Sequence, residues 1–427
     1  MIEKIYNYFI SSSGVSTDSR TVKPNNLFFS LSGPNFNGNE YALKAIENGA
    51  LFAIIDDPDF KKGDQYILVN NCLSSLQELA NYHRKKMALE VIAITGSNGK
   101  TTTKELIHAV MSSYFKTQST EGNLNNHIGV PITLLSIESA TEFAIVEMGA
   151  NKPGDIKELV DIAEPDFGII TNVGKAHLEG FGSFEGVIKT KTELYEFIKQ
   201  KSGALFLNAD DEILQKKTSN LPAFTYGKSE QANIRGEILN SDPFLKINWQ
   251  IPNDSRIESV QTQLVGDYNF PNVMCAIAVG VYFGVPYHSI KLAIETYVPT
   301  NNRSQILKTE FNTVILDAYN ANPSSMEVAL RNFSLQKSNN QIVILGKMNE
   351  LGSFSLDEHK NIQNLANSFP FELVILIGEH YSQNPNNVVL QNTDELFLWL
   401  KKNPLKNKNI LIKGSRSNKL EQVVSLL

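Results

Sequence analysis

The sequence predicts an α/β protein of three domains, and three observations lead to that prediction. The chain has 427 residues, which is too long for one ordinary core at roughly 150 residues per domain. Short apolar runs alternate with helix-length stretches, a pattern typical of buried parallel strands. This alternation is interrupted by the polar join "YVPTNNRSQ" and then resumes. We therefore predict domains at residues 1–86, 87–299 and 300–427.

The first domain is predicted to be a small α/β unit. Its strand candidates are "NLFFSLSG", "ALFAIIDD" and "YILVN". The following segment, "CLSSLQELANYHRKKM", places its apolar residues on one helical face and so predicts a helix that leads into the central domain. His83 lies on that face, which favours a packed or rim histidine over a metal ligand.

The central and third domains are each predicted to contain a mostly parallel sheet. The central strand candidates are "VIAIT", "FAIVEMG", "FGIITNVG" and "ALFLNADD". Those of the third domain are "TVILDAYNANP", "QIVILGKMNELG", "FELVILIGEH", "NVVLQN" and "NILIKGSRS". This second series indicates a doubly wound, Rossmann-like sheet.

Composition and charge exclude several classes of function. The formal net charge is −6 and no long basic run is present, so we expect no nucleic-acid partner. The N-terminal segment "MIEKIYNYFISSSG" is neither a signal peptide nor a spanning helix, so we expect no membrane insertion. Cys72 and Cys275 are far apart in apolar surroundings, which favours core thiols in a reducing cytoplasm. We expect a monomer.

The stretch "AITGSNGKTTTKE", residues 93–105, predicts a phosphate-binding loop. It follows an apolar strand and precedes a helix, so backbone N–H groups at the helix N-terminus can face an anion. Ile94 stands where the general P-loop has glycine. In this prediction Lys100 reaches the terminal phosphates and Thr101 offers its hydroxyl to magnesium; the alternative is a plain Gly-rich turn. The predicted ATP-binding residues of the loop are Gly96, Ser97, Asn98, Gly99, Lys100, Thr101 and Thr102.

Three further residues of the central domain are candidates for metal chemistry. Glu147 ends an apolar strand, where it either shares a metal with Thr101 or is an exposed strand-end glutamate. His177 follows the next strand and is either a ligand or a structural histidine. Lys191 lies on a predicted helix with Lys189, and the residues alone favour a solvated face opposite Leu194 and Phe197.

Polar side chains at two other places complete the candidate site. Asn269 and Asn272 begin a predicted helix, where they either cap it or hydrogen-bond an adenine edge. In the third domain, Asp317, Asn320 and Asn322 belong to a turn richer in hydrogen-bonding groups than a turn requires. The segments "LGKMNELG" and "LIKGSRSNKLE" end two further strands and look like walls of a polar cleft.

Together these segments resemble the Mur ligase family, whose members are ATP-dependent amide-forming enzymes of peptidoglycan precursor synthesis. The family's short loop, Thr-Gly-x-x-Gly-Lys-Thr, is matched by residues 95–101. The segments "EGNLNNHIGVPITLL", "AHLEGFGS", "DAYNANPSSM", "LGKMNELG" and "KGSRSNKLE" are similar to the last ligase of the cytoplasmic series. The segment "STDSR", residues 16–20, resembles the motif that holds the uracil end of its substrate.

The resemblance implies a specific reaction. The enzyme would join D-alanyl-D-alanine to UDP-N-acetylmuramoyl-tripeptide through an acyl phosphate and so complete the precursor pentapeptide. It would act in the cytoplasm in cell wall biogenesis, and so serve cell shape, cell division and the cell cycle. The alternatives are another Mur ligase, a folylpolyglutamate synthetase-like ligase and a P-loop nucleotide-gated binding module.

The resemblance also implies roles for individual residues. Lys100, Glu147, His177 and Lys191 would be catalytic. Thr101 and Glu147 would hold one magnesium ion, and His177 would hold a second with a carbamylated Lys191. The implied nucleotide contacts outside the loop are Asn269, Arg303 and Asp317, and the implied substrate contacts are Ser19, Arg20, Asn125, Asn126, Asn320 and Asn322.

The chain departs from the family pattern at three places. Where Gly-x-His-Asn is usual, it has Gly266-Asp267-Tyr268-Asn269. His127 stands where an acidic residue is expected after the Asn125-Asn126 pair, and Asn37-Gly38-Asn39 replaces Asp-Gly-His. These differences bear on local substrate contacts.

Overall fold

A computed structural model describes residues 1–218, 221–300, 302–336, 338 and 340–427. Its strands form three sheets that follow one another along the chain, with four, nine and six strands. Most of the pairings within them are parallel, so the predicted α/β class is confirmed. Residue 301, within the predicted join, lies outside the described residues.

The first sheet is parallel throughout, in the order β1-β2-β3-β4. Its strands are β1 (Val15–Ser16), β2 (Leu27–Phe29), β3 (Phe52–Ile55) and β4 (Tyr66–Leu68). The helices of this part are α1 (Ile2–Phe9), α2 (Ala42–Glu47) and α3 (Cys72–Lys86). His83 is buried on α3 between hydrogen bonds to Tyr6 and the Ile137 carbonyl, so the prediction of a packed histidine is confirmed.

The nine-stranded sheet has the order β13-β12-β11-β10-β9-β8-β5-β7-β6. The run from β11 to β6 is parallel, and β12 and β13 add an antiparallel edge. The strands are β5 (Glu90–Thr95), β6 (Thr117–Ser119), β7 (Phe143–Glu147), β8 (Phe167–Ile170), β9 (Ala204–Asn208), β10 (Ala223–Gly227), β11 (Ile234–Asn240), β12 (Lys246–Gln250) and β13 (Glu258–Gln261).

Helices cover both faces of this central sheet. They are α4 (Lys100–Ser112), α5 (Gly129–Leu135), α6 (Asp155–Ala163), α7 (Leu178–Phe181), α8 (Phe184–Lys191), α9 (Glu193–Gln200), α10 (Glu212–Lys217), α11 (Phe270–Tyr282) and α12 (Tyr287–Thr296). Along β5, Val91 and Ala93 belong to the core that contains α3, α5 and α6, whereas Ile92 and Ile94 face α4 and α11. This period of two is expected of a strand that is buried on both faces.

The six-stranded sheet has the order β14-β15-β19-β16-β17-β18, with β14 antiparallel and the rest parallel. Its strands are β14 (Gln305–Lys308), β15 (Thr313–Asp317), β16 (Gln341–Gly346), β17 (Leu373–Ile377), β18 (Asn387–Leu390) and β19 (Asn409–Lys413). Helices α13 (Pro323–Leu335), α14 (Ser355–Ser368) and α15 (Thr393–Lys402) complete the unit. Strand β19 lies between β15 and β16, so the strand order reverses there. Ligands of such sheets bind at this reversal, at the carboxyl ends of the strands.

The predicted boundaries after residues 86 and 299 lie between elements of successive sheets. Helix α3 nevertheless packs into the same hydrophobic core as α5 and α6 of the central part. Leu76 and Leu79 are among the α3 residues that are fully buried in this shared core. Both domain boundaries therefore stay predictions. Cys72 and Cys275 are free and buried, which confirms them as core thiols. Among the described residues, no helix has the length and apolar character needed to cross a bilayer.

Candidate active site

The predicted phosphate loop connects β5 to α4, as the sequence indicated. Gly96 has a φ of 147°, and a Cβ there would lie 2.0 Å from Thr171 Oγ1, so only glycine fits. Gly99 precedes the helix with a φ of 78°. Lys100 Nζ donates to the Gly96 carbonyl at 2.7 Å, and burial lowers the pKa of this lysine.

The turn after β8 supports the loop through side chains that sequence reasoning did not select. Thr171 Oγ1 donates to the Asn98 carbonyl at 2.6 Å, and Asn172 Nδ2 donates to the same oxygen at 2.9 Å. Asn172 Oδ1 also accepts from the Asn98 amide at 3.0 Å. The available signal was the polar pair that follows the apolar run in "GIITNVG", at the carboxyl end of a central strand.

Glu147 is buried at the end of β7 with 2% of its surface exposed, so the exposed strand-end interpretation is wrong. Its Oε2 accepts from the Thr101 hydroxyl at 2.8 Å, and its Oε1 accepts from Asn125 Nδ2 at 2.8 Å. The Glu147 amide donates to Thr120 Oγ1 at 2.9 Å. Both carboxylate oxygens thus have donors, as a buried carboxylate requires.

Lys191 is also buried, with 1% of its surface exposed, so the solvated-face interpretation is wrong for this residue. It ends α8, whereas Leu194 and Phe197 lie on α9 after a break at Thr192. Desolvation lowers the pKa of Lys191 well below its usual range, and the nearby charge of Lys100 acts in the same direction. Its Nζ lies 5.6 Å from the centre of the Phe181 ring. Lys189, on the same helix, is exposed as predicted.

His177 contacts the third domain. Its backbone is left-handed, with a φ of 51°, and its Nδ1 contacts Glu350 Oε2. Glu350 was not selected from the sequence, although its segment was predicted to form a wall of the cleft. The hydrogen bond to His177 is the main cause that lowers the pKa of the Glu350 carboxyl.

Asn269 and Asn272 are buried, and neither Asn269 nor Asn272 is a side-chain cap of α11 in the described structure, so the capping interpretation is wrong. Asn269 Nδ2 donates to the Val265 carbonyl at 2.8 Å and its Oδ1 accepts from Asn272 Nδ2 at 2.9 Å. Asn272 Oδ1 accepts from Thr103 Oγ1 at 3.0 Å. The pair therefore connects the start of α11 to the phosphate-loop helix.

The turn after β15 brings third-domain side chains to the phosphate loop. Asn322 Nδ2 donates to Asn98 Oδ1 at 2.8 Å, while Asn322 Oδ1 accepts from the Ser325 amide at 2.9 Å and caps α13. Asn320 Oδ1 accepts from the Ala321 amide at 2.9 Å. Asn322 thus combines a structural cap with a contact between domains.

Two charged groups of the cleft lie close to this turn. The Arg303 guanidinium stacks 3.8 Å from the centre of the Tyr319 ring. Asp317 forms an ion pair with Lys413, a buried lysine at the end of β19 that sequence reasoning did not select. Its signal was its position before Gly414, at the carboxyl end of a strand in the "LIKGSRS" wall. Tyr268 stands where the family pattern has histidine. Its hydroxyl is hydrogen-bonded to Ser304 Oγ at 2.8 Å.

A cavity of about 1080 Å³ lies between the central and third domains and brings most of the predicted residues together. The predicted residues that line it are Ser97, Asn98, Gly99, Lys100, Thr101, Thr102, Asn125, Asn126, Glu147, His177, Asn269, Arg303, Asp317, Asn320 and Asn322. Gly96 and Lys191, both described, are not part of its lining. Further lining residues that the sequence did not single out include Lys152, Asp155, Glu158, Ser304 and Lys413.

The predicted uracil contacts lie outside this cavity. Arg20 is exposed and forms an ion pair with Asp18, 2.6 Å between Nη2 and Oδ2, which lowers the pKa of Asp18 to about 2. Ser19 is buried, and its carbonyl accepts from Asn48 Nδ2 at 2.8 Å. Asn126 lines the cavity but also accepts from the Gly129 amide at 2.8 Å, at the start of α5. His127 is exposed.

Three family models match successive parts of the chain. The Mur ligase family catalytic domain matches residues 11–95, the Mur ligase middle domain matches residues 94–280, and the Mur ligase glutamate ligase domain matches residues 302–415. The curated UDP-N-acetylmuramoyl-tripeptide–D-alanyl-D-alanine ligase of Bacillus subtilis is 33% identical over 428 residues, which cover 96% of this chain and 92% of the relative.

Solved structures show the same three-domain α/β fold. A MurF crystal structure from Acinetobacter baumannii aligns with a TM-score of 0.87 and 27% identity, over 96% of this chain and 92% of that chain. The MurF ligase of Thermotoga maritima in complex with ADP aligns with a TM-score of 0.86 and 23% identity, over 98% and 97% of the two chains. The fold and the full-length sequence similarity agree: the chain belongs to the Mur ligase family.

Proposed function

We propose that this protein is the ATP-dependent ligase that joins D-alanyl-D-alanine to UDP-N-acetylmuramoyl-tripeptide. The observation that carries the proposal is that the phosphate loop, Glu147 and the turn after β15 line one and the same cavity. The nature of the two substrates is supported by the name of the Bacillus subtilis relative, which this chain matches over nearly its full length. The cavity volume of about 1080 Å³ suits a nucleotide together with a peptide carboxylate.

The reaction requires activation of a carboxylate, because an anion resists attack by an amine. In the proposed mechanism the terminal carboxylate of the tripeptide attacks the γ-phosphate of ATP, and ADP leaves. Lys100 leaves the Gly96 carbonyl and neutralises charge on the transferred phosphoryl group. The amine of D-alanyl-D-alanine then attacks the acyl phosphate, and phosphate is released as the amide forms.

The residues around Glu147 suit magnesium. A buried carboxylate and a hydroxyl 2.8 Å apart offer the oxygen ligands that Mg²⁺ prefers, and substrate phosphates usually supply the rest. Among the described residues, no cluster of three or more His, Cys, Asp or Glu side chains is placed to hold a metal ion. Thr101 and Glu147 would hold this ion, which would neutralise phosphate charge.

Lys191 suits carbamylation because a neutral amine is the form that attacks carbon dioxide. Its burial lowers its pKa well below the usual range, which favours the neutral amine over the ammonium form. A carbamate would turn this lysine into a carboxylate beside Lys100. We propose that it holds a second magnesium ion with His177.

The remaining contacts are proposed from the resemblance and from their position. Asn269 would contact adenine, and Arg303 and Asp317 would reach phosphate and ribose across the cleft. Asn125 and Asn126 would line the muramyl peptide channel, with Asn320 and Asn322 opposite. Ser19 and Arg20 would hold the uracil end, which requires Arg20 to turn from Asp18 toward the substrate.

The proposed setting follows from the reaction. We propose a cytoplasmic monomer that supplies the peptidoglycan precursor pentapeptide, and through it cell wall biogenesis, cell shape and division. Water would hydrolyse the acyl phosphate, so the third domain is proposed to close over the cavity during chemistry. The Asn98–Asn322 hydrogen bond supports such a docked state.

Phosphate release measured with ATP and UDP-N-acetylmuramoyl-tripeptide, with and without D-alanyl-D-alanine, tests the proposal. We expect turnover that depends on the dipeptide. Dipeptide-independent turnover, or turnover only with a single amino acid or a folate substrate, would assign the chain to another ligase of the superfamily. Lys100→Ala should reduce release at least about 1000-fold, whereas alanine at exposed Lys116 should not. Full activity of Lys100→Ala would contradict the loop assignment.

A further inference from the structure

The loop that follows β16 reaches from the third domain to the central domain. Its Glu350 carboxylate contacts His177 Nδ1. Both residues are left-handed without being glycine, with φ values of 63° and 51°. Such backbones persist only where surrounding contacts hold them, and they are concentrated at functional sites.

Backbone contacts hold the loop in place on both sides. The Glu179 amide donates to the Glu350 carbonyl at 3.4 Å, which joins the two domains beside the side-chain contact. Within the third domain, Met348 and Leu351 are buried in the core. The Met348 amide also donates to His359 Nε2 at 2.9 Å. Glu350 is therefore presented by a fixed loop.

The contact determines which nitrogen of His177 remains for a ligand. A carboxylate accepts a hydrogen bond, so a neutral His177 ring in this contact carries its proton on Nδ1. Nε2 is then the nitrogen that can face a ligand in the cavity that His177 lines. Ligating histidines generally donate their other N–H to a carboxylate or carbonyl in this way, which fixes the ring and its tautomer.

We propose that Glu350 is a positioning residue, supplied by the third domain, that fixes the tautomer and orientation of His177 when the two domains are docked. Docking and assembly of the His177 side of the site are then one event. Nucleotide bound before docking would meet an unrestrained imidazole. The catalytic consequence of this inference rests on the proposed ligase function, but the tautomer of His177 does not.

The direct test is NMR of the full chain labelled with ¹⁵N-histidine and saturated with ADP, at pH 8.5. The His177 signals are assigned by their absence in His177→Gln. We expect the Nδ1–H tautomer in the unmodified protein and a shift toward the Nε2–H tautomer in Glu350→Ala. Nitrogen shifts that are the same in both proteins would overturn the proposal. The ¹⁵N shifts of His177 are measured without the peptide substrates. This failure is therefore separate from failure of the ligase assignment.

Kinetics provide the second readout. In the phosphate-release assay we expect kcat to fall about 10- to 100-fold in Glu350→Ala, with the KM for ATP changed less than about 3-fold. Glu350→Gln retains an oxygen acceptor and should lie between Glu350→Ala and the unmodified protein. A kcat within about 2-fold of the unmodified value in both variants would contradict the proposal.

Glu379→Gln is the matched control. Glu379 is also a third-domain carboxylate that pairs with a histidine, His380, at 3.7 Å, but the two are chain neighbours and the Glu379 side chain is 70% exposed. We expect normal kcat and unchanged His177 shifts in this variant. A loss equal to that of Glu350→Ala would show a general effect of charge removal and overturn the proposal. Thermal unfolding of each variant identifies any that lose activity by unfolding, and Glu350→Gln then replaces Glu350→Ala in the comparison.

Discussion

The central and third domains line the same cavity, but different kinds of contact hold their functional groups. On the central side, Thr101 and Asn125 both donate hydrogen bonds to the buried Glu147 carboxylate. On the third-domain side, side chains meet the central domain through separate pairwise contacts. Examples are the Asn98–Asn322 hydrogen bond and the Lys175–Glu358 ion pair. The central half is thus assembled by its own fold, whereas the other half depends on docking.

This difference has an energetic consequence. Breaking one member of a buried polar cluster leaves its partners without water or protein donors, which costs more than loss of an exposed pair. Contacts across a cleft must also form and break during turnover if substrates enter there. We therefore expect substitutions on the central side to have larger effects than those that touch only the docking contacts.

After Lys100→Ala, the largest expected effect is at Lys191. Lys191→Ala should lower phosphate release by about 100-fold or more, because it removes the proposed carbamate from the electrostatics of phosphoryl transfer. Added acetate or formate should restore part of the activity by occupying the space left by the side chain. The control is Lys189→Ala, which alters an exposed lysine on the same helix. If Lys191→Ala is as active as Lys189→Ala and does not respond to added acid, the carbamate proposal is wrong.

An intermediate effect is expected at Asn322, where one side chain has two separable functions. Asn322→Asp keeps an oxygen that can cap α13 but loses the amide that donates to Asn98. We expect an unchanged unfolding midpoint and a roughly 10-fold lower turnover, equivalent to about one hydrogen bond. Asn322→Ala should lose about 1 kcal/mol of stability in addition. Thermal unfolding measures the effect on stability, and phosphate release measures the effect on turnover. Normal turnover of Asn322→Asp would show that the Asn98–Asn322 hydrogen bond does not contribute to catalysis.

The smallest effect is expected at the Lys175–Glu358 ion pair. The Lys175 side chain is 56% exposed and that of Glu358 is 12% exposed, and an ion pair with one end in water contributes about 1 kcal/mol or less. Lys175→Met should therefore change turnover less than about 3-fold, and the difference should diminish between 0.05 and 0.5 M salt because exposed charges are screened. The backbone N–H of residue 175, which donates a hydrogen bond to Ser324 Oγ at 3.0 Å in the unmodified protein, is retained in this variant. A loss greater than at Asn322→Asp would reverse the expected order of the docking contacts.

The sequence predicted the elements that carry the site better than the environment of each side chain. Strand, loop and helix around Gly96–Lys100 were readable because glycine, lysine and apolar periodicity are local signals. Burial of Lys191 was not readable, because a lysine next to Lys189 on a polar helix has the pattern of a solvated surface. It is covered by α7, through Phe181, a contact between elements that no local pattern specifies.

The two asparagines of α11 show the same limit. Near a helix start, a cap and a ligand contact require the same residue type, so the sequence left both open. The structure excludes the cap, because Asn269 and Asn272 bond each other and reach Val265 and Thr103. Glu350 was missed for a related reason: its partner His177 is in another domain, and the pair forms only through docking.

The sequence by itself determined the α/β class, the phosphate loop and the family, because periodicity, turn residues and contiguous motifs are properties of neighbouring residues. Only the tertiary structure decided which polar side chains are buried together, which charges meet and which domain supplies each contact. Glu147 illustrates the physical reason. A carboxylate at a strand end is compatible with water or with a buried cluster, and the choice depends on Thr101 and Asn125, which the fold brings to it.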